Sequence, residues 1–320
     1  MPDDALTHDV KVERLDQVID GILAGGEPPA DPELATLAAI ATSLRELPDE
    51  TFQKRLKSDL QRRATMPTST AVPIREGLHT ITPFIVLPNG VELIDFLKRT
   101  FGARETSRHP HGEGFVASVR VDDTDLLIMG DPSVGGQKRI GAFHVYVPDC
   151  DATFKRAVEA GATSIGEPLD TTYGERAGFV KDAAGNHWYI ATHLGAAPAL
   201  NNLWNVTPFA HPSSVRKYID FLTTAMGAKE LSVHEHGGKV VYAAAQIGDA
   251  VLEMGESPNP LPSGFYLFVE DCDAVYHRAI EAGAKSLWPP TDQSWGDRTA
   301  GLVDPFGYQW MPSTRIKNAR

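Results

Sequence analysis

The chain has 320 residues, with 42 Asp and Glu against 30 Lys and Arg, a net charge of -12 that repels phosphate backbones and argues against a general nucleic-acid binder. Its 42% hydrophobic and 22% charged residues are the proportions of a folded globular protein, and no apolar run approaches the roughly 18 residues of a membrane span. Two cysteines, Cys150 and Cys272, are too few for a disulfide framework, and the acidic start lacks the basic and apolar regions of a signal peptide, so a cytoplasmic location is expected.

The first predicted element is a helix, with Val10, Leu15, Val18, Ile19, Ile22 and Leu23 on one face and Gly25-Gly26 at its end. Asp31 caps a second helix carrying Leu34, Leu37, Ile40 and Leu44, and Pro48-Asp49 opens a third. Residues 1–64 are therefore expected to form an N-terminal helical segment. Residues 65–77, which include the run TMPTSTAVP, have linker composition.

After residue 78, short β-rich runs alternate with single helices, and the pattern recurs. Thr82-Pro83-Phe84 returns as Thr207-Pro208-Phe209, and Ile94-Asp95-Phe96-Leu97 as Ile219-Asp220-Phe221-Leu222, both at an offset of 125. Gly102-Ala103, His109-x-His111-Gly112 and Met129-Gly130 repeat at the same offset. A second block repeats at an offset of 122. There Asp149-Cys150-Asp151-Ala152 matches Asp271-Cys272-Asp273-Ala274, Gly174-Glu175-Arg176 matches Gly296-Asp297-Arg298, and Asp182-x-x-Gly185-x-x-Trp188 matches Asp304-x-x-Gly307-x-x-Trp310. Such agreement identifies a tandem duplication.

Each copy is itself two units of strand, helix and strand-rich stretch. In the second unit Phe143 to Val147 reads as a strand and Asp149 or Asp151 as the cap of a helix to about Ala160. Gly161 reads as the stop of that helix, and Asp182 to Asn186 as the turn before a last strand through Trp188. The expected fold class is α+β, with four βαβββ modules forming two domains at 78–196 and 200–316.

A helix ending in Phe101-Gly102-Ala103, the V-x-D-x-D-A turn, the E-A-G-A helix stop, [YW]-G-[DE]-R, and D-P-F-G-x-x-W at Asp304 to Trp310 occur in a fixed order. Together they resemble the vicinal-oxygen-chelate (glyoxalase, bleomycin-resistance and dioxygenase) superfamily, in its PhnB-like and glyoxalase-like branch. The resemblance implies sheets that close around a cup. It also implies metal ligands on the first and last strands of each module, here about Ile81, Ala142, Val206 and Gly264, and Ile128, Tyr189, Glu253 and Met311. Shifting the first strands by one residue gives Thr82, Phe143, Thr207 and Phe265. Only Glu253 is an ordinary divalent-metal ligand, so no family-type metal site is expected and no cofactor is predicted. The alternative is a divalent metal held by a displaced set, with His79, His144 and Glu253 as candidates.

Glu253, as a general base, and His144, which strand parity points into the cup, are the candidate catalytic residues. Tyr189, Tyr173, Trp295, Arg176 and Arg298 are candidate ligand-binding residues. For the arginines a loop salt bridge competes with that role. Trp188 and Trp310 have core parity, and the His-x-His-Gly segments read as exposed hairpin turns. The reading that follows is a protein that binds a small apolar or aromatic molecule in a β-sheet cup, by sequestration or metal-independent chemistry. A metal-dependent lyase, isomerase or dioxygenase is one alternative, and a non-catalytic protein using its N-terminal helices to bind a partner is the other. No nucleic-acid or membrane partner is expected, and the chain fits a monomer or a homodimer.

Overall fold

The computed structural model describes residue 74 and residues 77–135, 138–172, 174–194 and 204–316. The expected N-terminal helices and most of the linker lie outside the described residues.

Four βαβββ modules follow one another. The first comprises β1 (Ile81–Leu87), α1 (Gly90–Phe101), β2 (Arg104–His111), β3 (Gly114–Val121) and β4 (Thr124–Gly130). The second comprises β5 (Ala142–Tyr146), α2 (Cys150–Glu159), β6 (Thr163–Asp170), β7 (Glu175–Lys181) and β8 (His187–His193). The third comprises β9 (Val206–Ala210), α3 (Val215–Met226), β10 (Lys229–His236), β11 (Lys239–Ile247) and β12 (Ala250–Met254). The fourth comprises β13 (Gly264–Phe268), α4 (Cys272–Glu281), β14 (Lys285–Asp292), β15 (Asp297–Val303) and β16 (Gln309–Arg315).

Local chemistry sets the helix limits. Asp149 Oδ1 accepts the backbone N–H of Ala152 at 2.9 Å, and Asp271 does the same for Ala274, so the first aspartate of each D-x-D pair is the cap. The helices of the first and third modules end on Gly102 (φ 67°) and Gly227 (φ 72°), left-handed positions where a side chain would be strained. Leu93, Ile94, Phe96 and Leu97, and likewise Val215, Tyr218, Ile219 and Leu222, recur at helical spacing and are buried.

Sheets and cores follow different rules of assembly. One eight-stranded sheet runs β14-β15-β16-β13-β1-β4-β3-β2 and joins the first and last modules. The other runs β10-β11-β12-β9-β5-β8-β7-β6 and joins the two middle ones. Each is closed at its centre by a short antiparallel seam, Ile81–Pro83 on Phe265–Leu267 and Ala142–Val145 on Val206–Phe209. The helix-side cores instead follow chain order. Leu93, Phe96, Phe143, Phe154 and Trp188 pack in one cluster, and Tyr218, Phe221, Phe265, Tyr308 and Trp310 in another. Each duplicated half thus supplies most of one core, with Ile81 and Val206 crossing over, while each sheet takes one module from each half. We call the face of the middle-module sheet opposite its helices the inner cup and that of the other sheet the outer cup.

The helix side of each sheet is pinned by matched polar contacts. Trp188 Nε1 donates to Asp182 Oδ2, and Trp310 Nε1 to Asp304 Oδ2, each at 3.0 Å. Both tryptophans are fully buried, as their parity predicts. The His109–His111 segment ends an exposed hairpin, in agreement with the Gly-based turn reading. Among the described residues no helix is long and apolar enough to cross a membrane.

Candidate functional site

Strand alternation decides which side chains enter a cup. In β5, Phe143 and Val145 belong to the helix-side core, so Ala142, His144 and Tyr146 face the inner cup. In β12, Leu252 and Met254 are core and Glu253 faces inward. In β7, Val180 is core, which puts Glu175 and Phe179 in the cup. The antiparallel seam sets His144 opposite Thr207 and Ala142 opposite Phe209.

These choices bring the two candidate catalytic residues together. His144 Nδ1 lies 3.0 Å from Glu253 Oε2, a contact between modules two and three. On its other side His144 Nε2 lies 3.5 Å from Glu175 Oε2. Tyr242 donates its hydroxyl to Glu253 Oε1 at 2.7 Å, and Tyr146 donates to Glu175 Oε1 at 3.2 Å. Tyr146 is also stacked between His144 and His193, with ring centroids 4.4 and 4.5 Å away. Burial opposes charge on the His144 ring, but the charge of Glu253 and the bonds to both carboxylates outweigh it and lift its pKa to about 9. Burial alone would raise the pKa of Glu175, yet the bond from His144 leaves it lowered. Burial, reinforced by the charges of Glu253 and Glu175, pushes the Tyr146 phenol far up. At neutral pH His144 is therefore an imidazolium held between two carboxylates, beside a neutral phenol.

A second group lies on the same floor. Tyr189 packs edge-on against Phe179 and Phe209, at 5.3 and 5.2 Å, and its hydroxyl is 2.7 Å from His211 Nε2. Burial, with a small contribution from His187, lowers the His211 pKa to about 4, so this imidazole is neutral and can accept from Tyr189. Tyr189 thus stands in the cup.

The remaining sequence candidates are elsewhere. His79 lies just before β1, stacked on Trp204 at 3.7 Å, with Nδ1 3.3 Å from Asp249 Oδ2 and Nε2 3.2 Å from the Asp123 carbonyl. It occupies a junction between the first and third modules, and the structure separates it from His144 and Glu253. Arg176 and Arg298, candidates for ligand binding, instead point to the helix side and form the competing salt bridges. Arg176 forks onto Asp151 and reaches Asp170, and Arg298 donates to Asp273 at 2.7 and 2.8 Å and to Asp292 at 2.8 Å. Those bonds tie a strand to the first turn of the neighbouring helix. In [YW]-G-[DE]-R it is the acid that faces the cup, because adjacent strand residues point to opposite faces. Trp295 is 43% exposed in the turn between β14 and β15, in the outer-cup sheet. Tyr173 lies outside the described residues.

The positions that the resemblance assigns to a metal also need correction. Ile81 and Val206 are packed in helix-side cores, as is Ile128. Their neighbours Thr82, Thr207 and Leu127 face the cups. The inner cup then offers Ala142, Thr207, Tyr189 and Glu253, and the outer cup Thr82, Gly264, Leu127 and Met311. Glu253 is the one carboxylate in either set, and the nearby His144 directs both ring nitrogens at carboxylates, leaving no lone pair for an ion. Among the described residues no three His, Cys, Asp or Glu side chains converge in a metal-holding arrangement. The donor set does not fit the divalent ion that the fold brings to mind.

Sequence reasoning missed Glu175, Tyr146, Tyr242 and His211. The signal was available for Glu175, since placing Arg176 under the helix puts its neighbour in the cup. Tyr242 and His211 needed the pairing of modules, which no local pattern reveals.

Comparison with known proteins agrees with this geometry. A family model described as the Glyoxalase/Bleomycin resistance protein/Dioxygenase superfamily matches residues 79–190 and 212–311. An uncharacterized protein of Mycobacterium bovis is 32% identical over 122 residues, which is 34% of this chain and 80% of that protein. A protein of the same organism named putative glyoxylase CFP32 is 27% identical over 184 residues, 54% of this chain and 68% of its own length. Among solved structures, glyoxalase I from Zea mays superposes with a TM-score of 0.58 at 15% identity, covering 73% of this chain and 91% of that one. A putative dioxygenase from Bacillus subtilis gives 0.52 at 13% identity, covering 76% and 86%. At these identities the two structures attest the fold.

Proposed function

The chain belongs to the glyoxalase/bleomycin resistance protein/dioxygenase superfamily, and on that footing we propose that its inner cup binds a small, neutral aromatic molecule bearing a hydroxyl or carbonyl oxygen, by metal-independent chemistry. The observation that carries this reading is the placement of His144 between Glu253 and Glu175. A buried imidazolium supplies a fixed positive charge and a proton donor, which an oxygen developing negative charge requires. Its contact with Glu175 is loose at 3.5 Å, and Glu175 Oε2 has no hydrogen bond. A ligand oxygen entering there accepts from His144 Nε2, and a ligand hydroxyl donates to Glu175 Oε2. Glu253 holds the imidazolium from behind and is the base to which its other proton can pass. Phe179, Tyr189 and Phe209 supply the walls that an aromatic ring packs against. The local charge of two carboxylates and one imidazolium disfavours an anionic ligand.

We further infer that residues 78–196 and 200–316 are the duplicated folding units, that one chain completes both cups as a monomer, and that the buried thiols of Cys150 and Cys272 belong to a reducing cytoplasm. The test is elemental analysis of protein purified without chelators or a histidine tag, alongside calorimetric titration with 2-naphthol. Under about a tenth of an equivalent of transition metal, with 2-naphthol binding that is lost in His144→Phe, supports the reading. A full equivalent of zinc, nickel, manganese or iron overturns it.

A further inference from the structure

The outer cup holds a cation of its own. Arg139 forms an isolated antiparallel bridge with Val86, with N–H···O distances of 2.8 and 3.0 Å. Paired residues of such a bridge point to the same face. Val86 clusters with Phe84 and Met311, and with the partly buried Leu127, Met129 and Tyr266, on the outer-cup floor. Ile140, the next residue, turns the other way into the helix-side core. Arg139 therefore reaches into the outer cup. Its path lies over Gly264, where an added Cβ would come within 3.2 Å of Arg139 Cδ. The glycine leaves the space that the arginine stem crosses.

This guanidinium has unusual company. Its Nε is buried with no hydrogen-bond partner. Burial depresses its pKa, against a smaller opposing contribution from the Tyr266 phenol. Arg315 and Arg120, which alternation places on the same face of this sheet, are instead bound to Asp297 at 3.1 Å and to Asp125 at 2.7 Å. A partly desolvated cation on an apolar floor is destabilising unless an anion completes it.

We propose that the outer cup is a second binding site, for an aromatic or aliphatic carboxylate whose anionic head pairs with Arg139 and whose apolar body packs on Phe84, Met129, Tyr266 and Met311. The site is chemically opposite to the inner cup and independent of His144. Titration of the full-length chain with 2-naphthoate, read by calorimetry, tests it. The proposal expects saturable binding that weakens about tenfold or more in Arg139→Met, since a charge-assisted hydrogen bond is lost. It also expects partial retention in Arg139→Lys and no change in His144→Phe. Loss of a partly buried cation whose Nε has no partner should leave ligand-free Arg139→Met at least as heat-stable as the parent, which shows that the variant folds. Equal naphthoate affinity in the parent and Arg139→Met would overturn the proposal. So would the absence of naphthoate binding at millimolar concentration, or its loss in His144→Phe.

Discussion

The inner and outer cups are built from the same duplicated modules in the same strand order, and they can be laid over each other position by position. His144 of the inner cup corresponds to Tyr266 of the outer, Tyr146 to Phe268, Glu175 to Asp297 and His193 to Arg315, all at the offset of 122. Glu253 corresponds to Leu127, since each pairs with the equivalent phenylalanine, Phe209 and Phe84. Even the stacking is retained, His144 on Tyr146 and Tyr266 on Phe268. The helix sides are nearly identical. Both keep the Asp cap, the Arg–Asp fork, the Trp–Asp bond, and a cysteine donating to a carbonyl of the last strand at 3.2 Å. The comparison teaches that the helix side is fixed by the packing the fold requires, while the cup side has been free to take opposite chemistry.

That comparison can be broken by exchanging residues. Glu253→Leu gives the inner cup the outer residue and strands His144 without its closest counter-charge. A loss of about 3–5 kcal/mol in urea unfolding is expected, the range for a buried pair with one partner removed. Adding His144→Tyr, the outer-cup partner, should recover much of the loss. Strict additivity of the two changes would show that the residues are not coupled.

The pH response is the next largest effect. The folded-state pKa of His144 is raised above its usual value, so its stabilising contribution is complete below about pH 6.5 and fades as pH rises through about 9. A decline on the order of 3 kcal/mol across that window is expected. The decline should vanish in His144→Phe, and an unchanged decline in that variant would assign it to other groups.

The helix-side locks sharpen the comparison further. Arg298 and Asp273 are mostly buried, with side chains 17% and 5% exposed, so Asp273→Ala should cost about 2 kcal/mol. The equivalent Arg176–Asp151 fork is open to solvent, and Asp151→Ala should cost distinctly less. Equal losses in thermal unfolding would refute a role for burial. The smallest effect should come from His79→Ala, about 1 kcal/mol for the stack on Trp204, with no change in ligand binding to either cup.

Much of this architecture was legible in the sequence because it is local or repeated. Helix caps, glycine stops and core tryptophans follow from residue chemistry and period, and the internal repeat gave four modules directly. Two features were not legible. Pairing of the first module with the fourth, and the second with the third, depends on contacts between segments far apart in the chain. The counterpart of Glu253 in the first module was obscured by a bulge. In β10–β11 the register passes from His234 on Tyr242 to Glu235 on Val240, leaving Val241 unpaired. The equivalent hairpin has no such step between His109 on Val116 and Pro110 on Phe115. A single extra residue reverses every later side chain on a strand. A gapless comparison therefore equates Glu253 with Ile128, which lies in the core, when its true counterpart in the cup is Leu127.

The chemistry assigned to the inner cup rests on a protonated imidazole between two carboxylates. Its most direct measurement is an NMR titration of ¹⁵N-labelled histidine, with His144 identified by the loss of its signal in His144→Phe. The account predicts that both ring nitrogens stay protonated at pH 7 and that the ring titrates near pH 9. A neutral His144 ring at pH 7, with one nitrogen bare or bound to a metal, would contradict it.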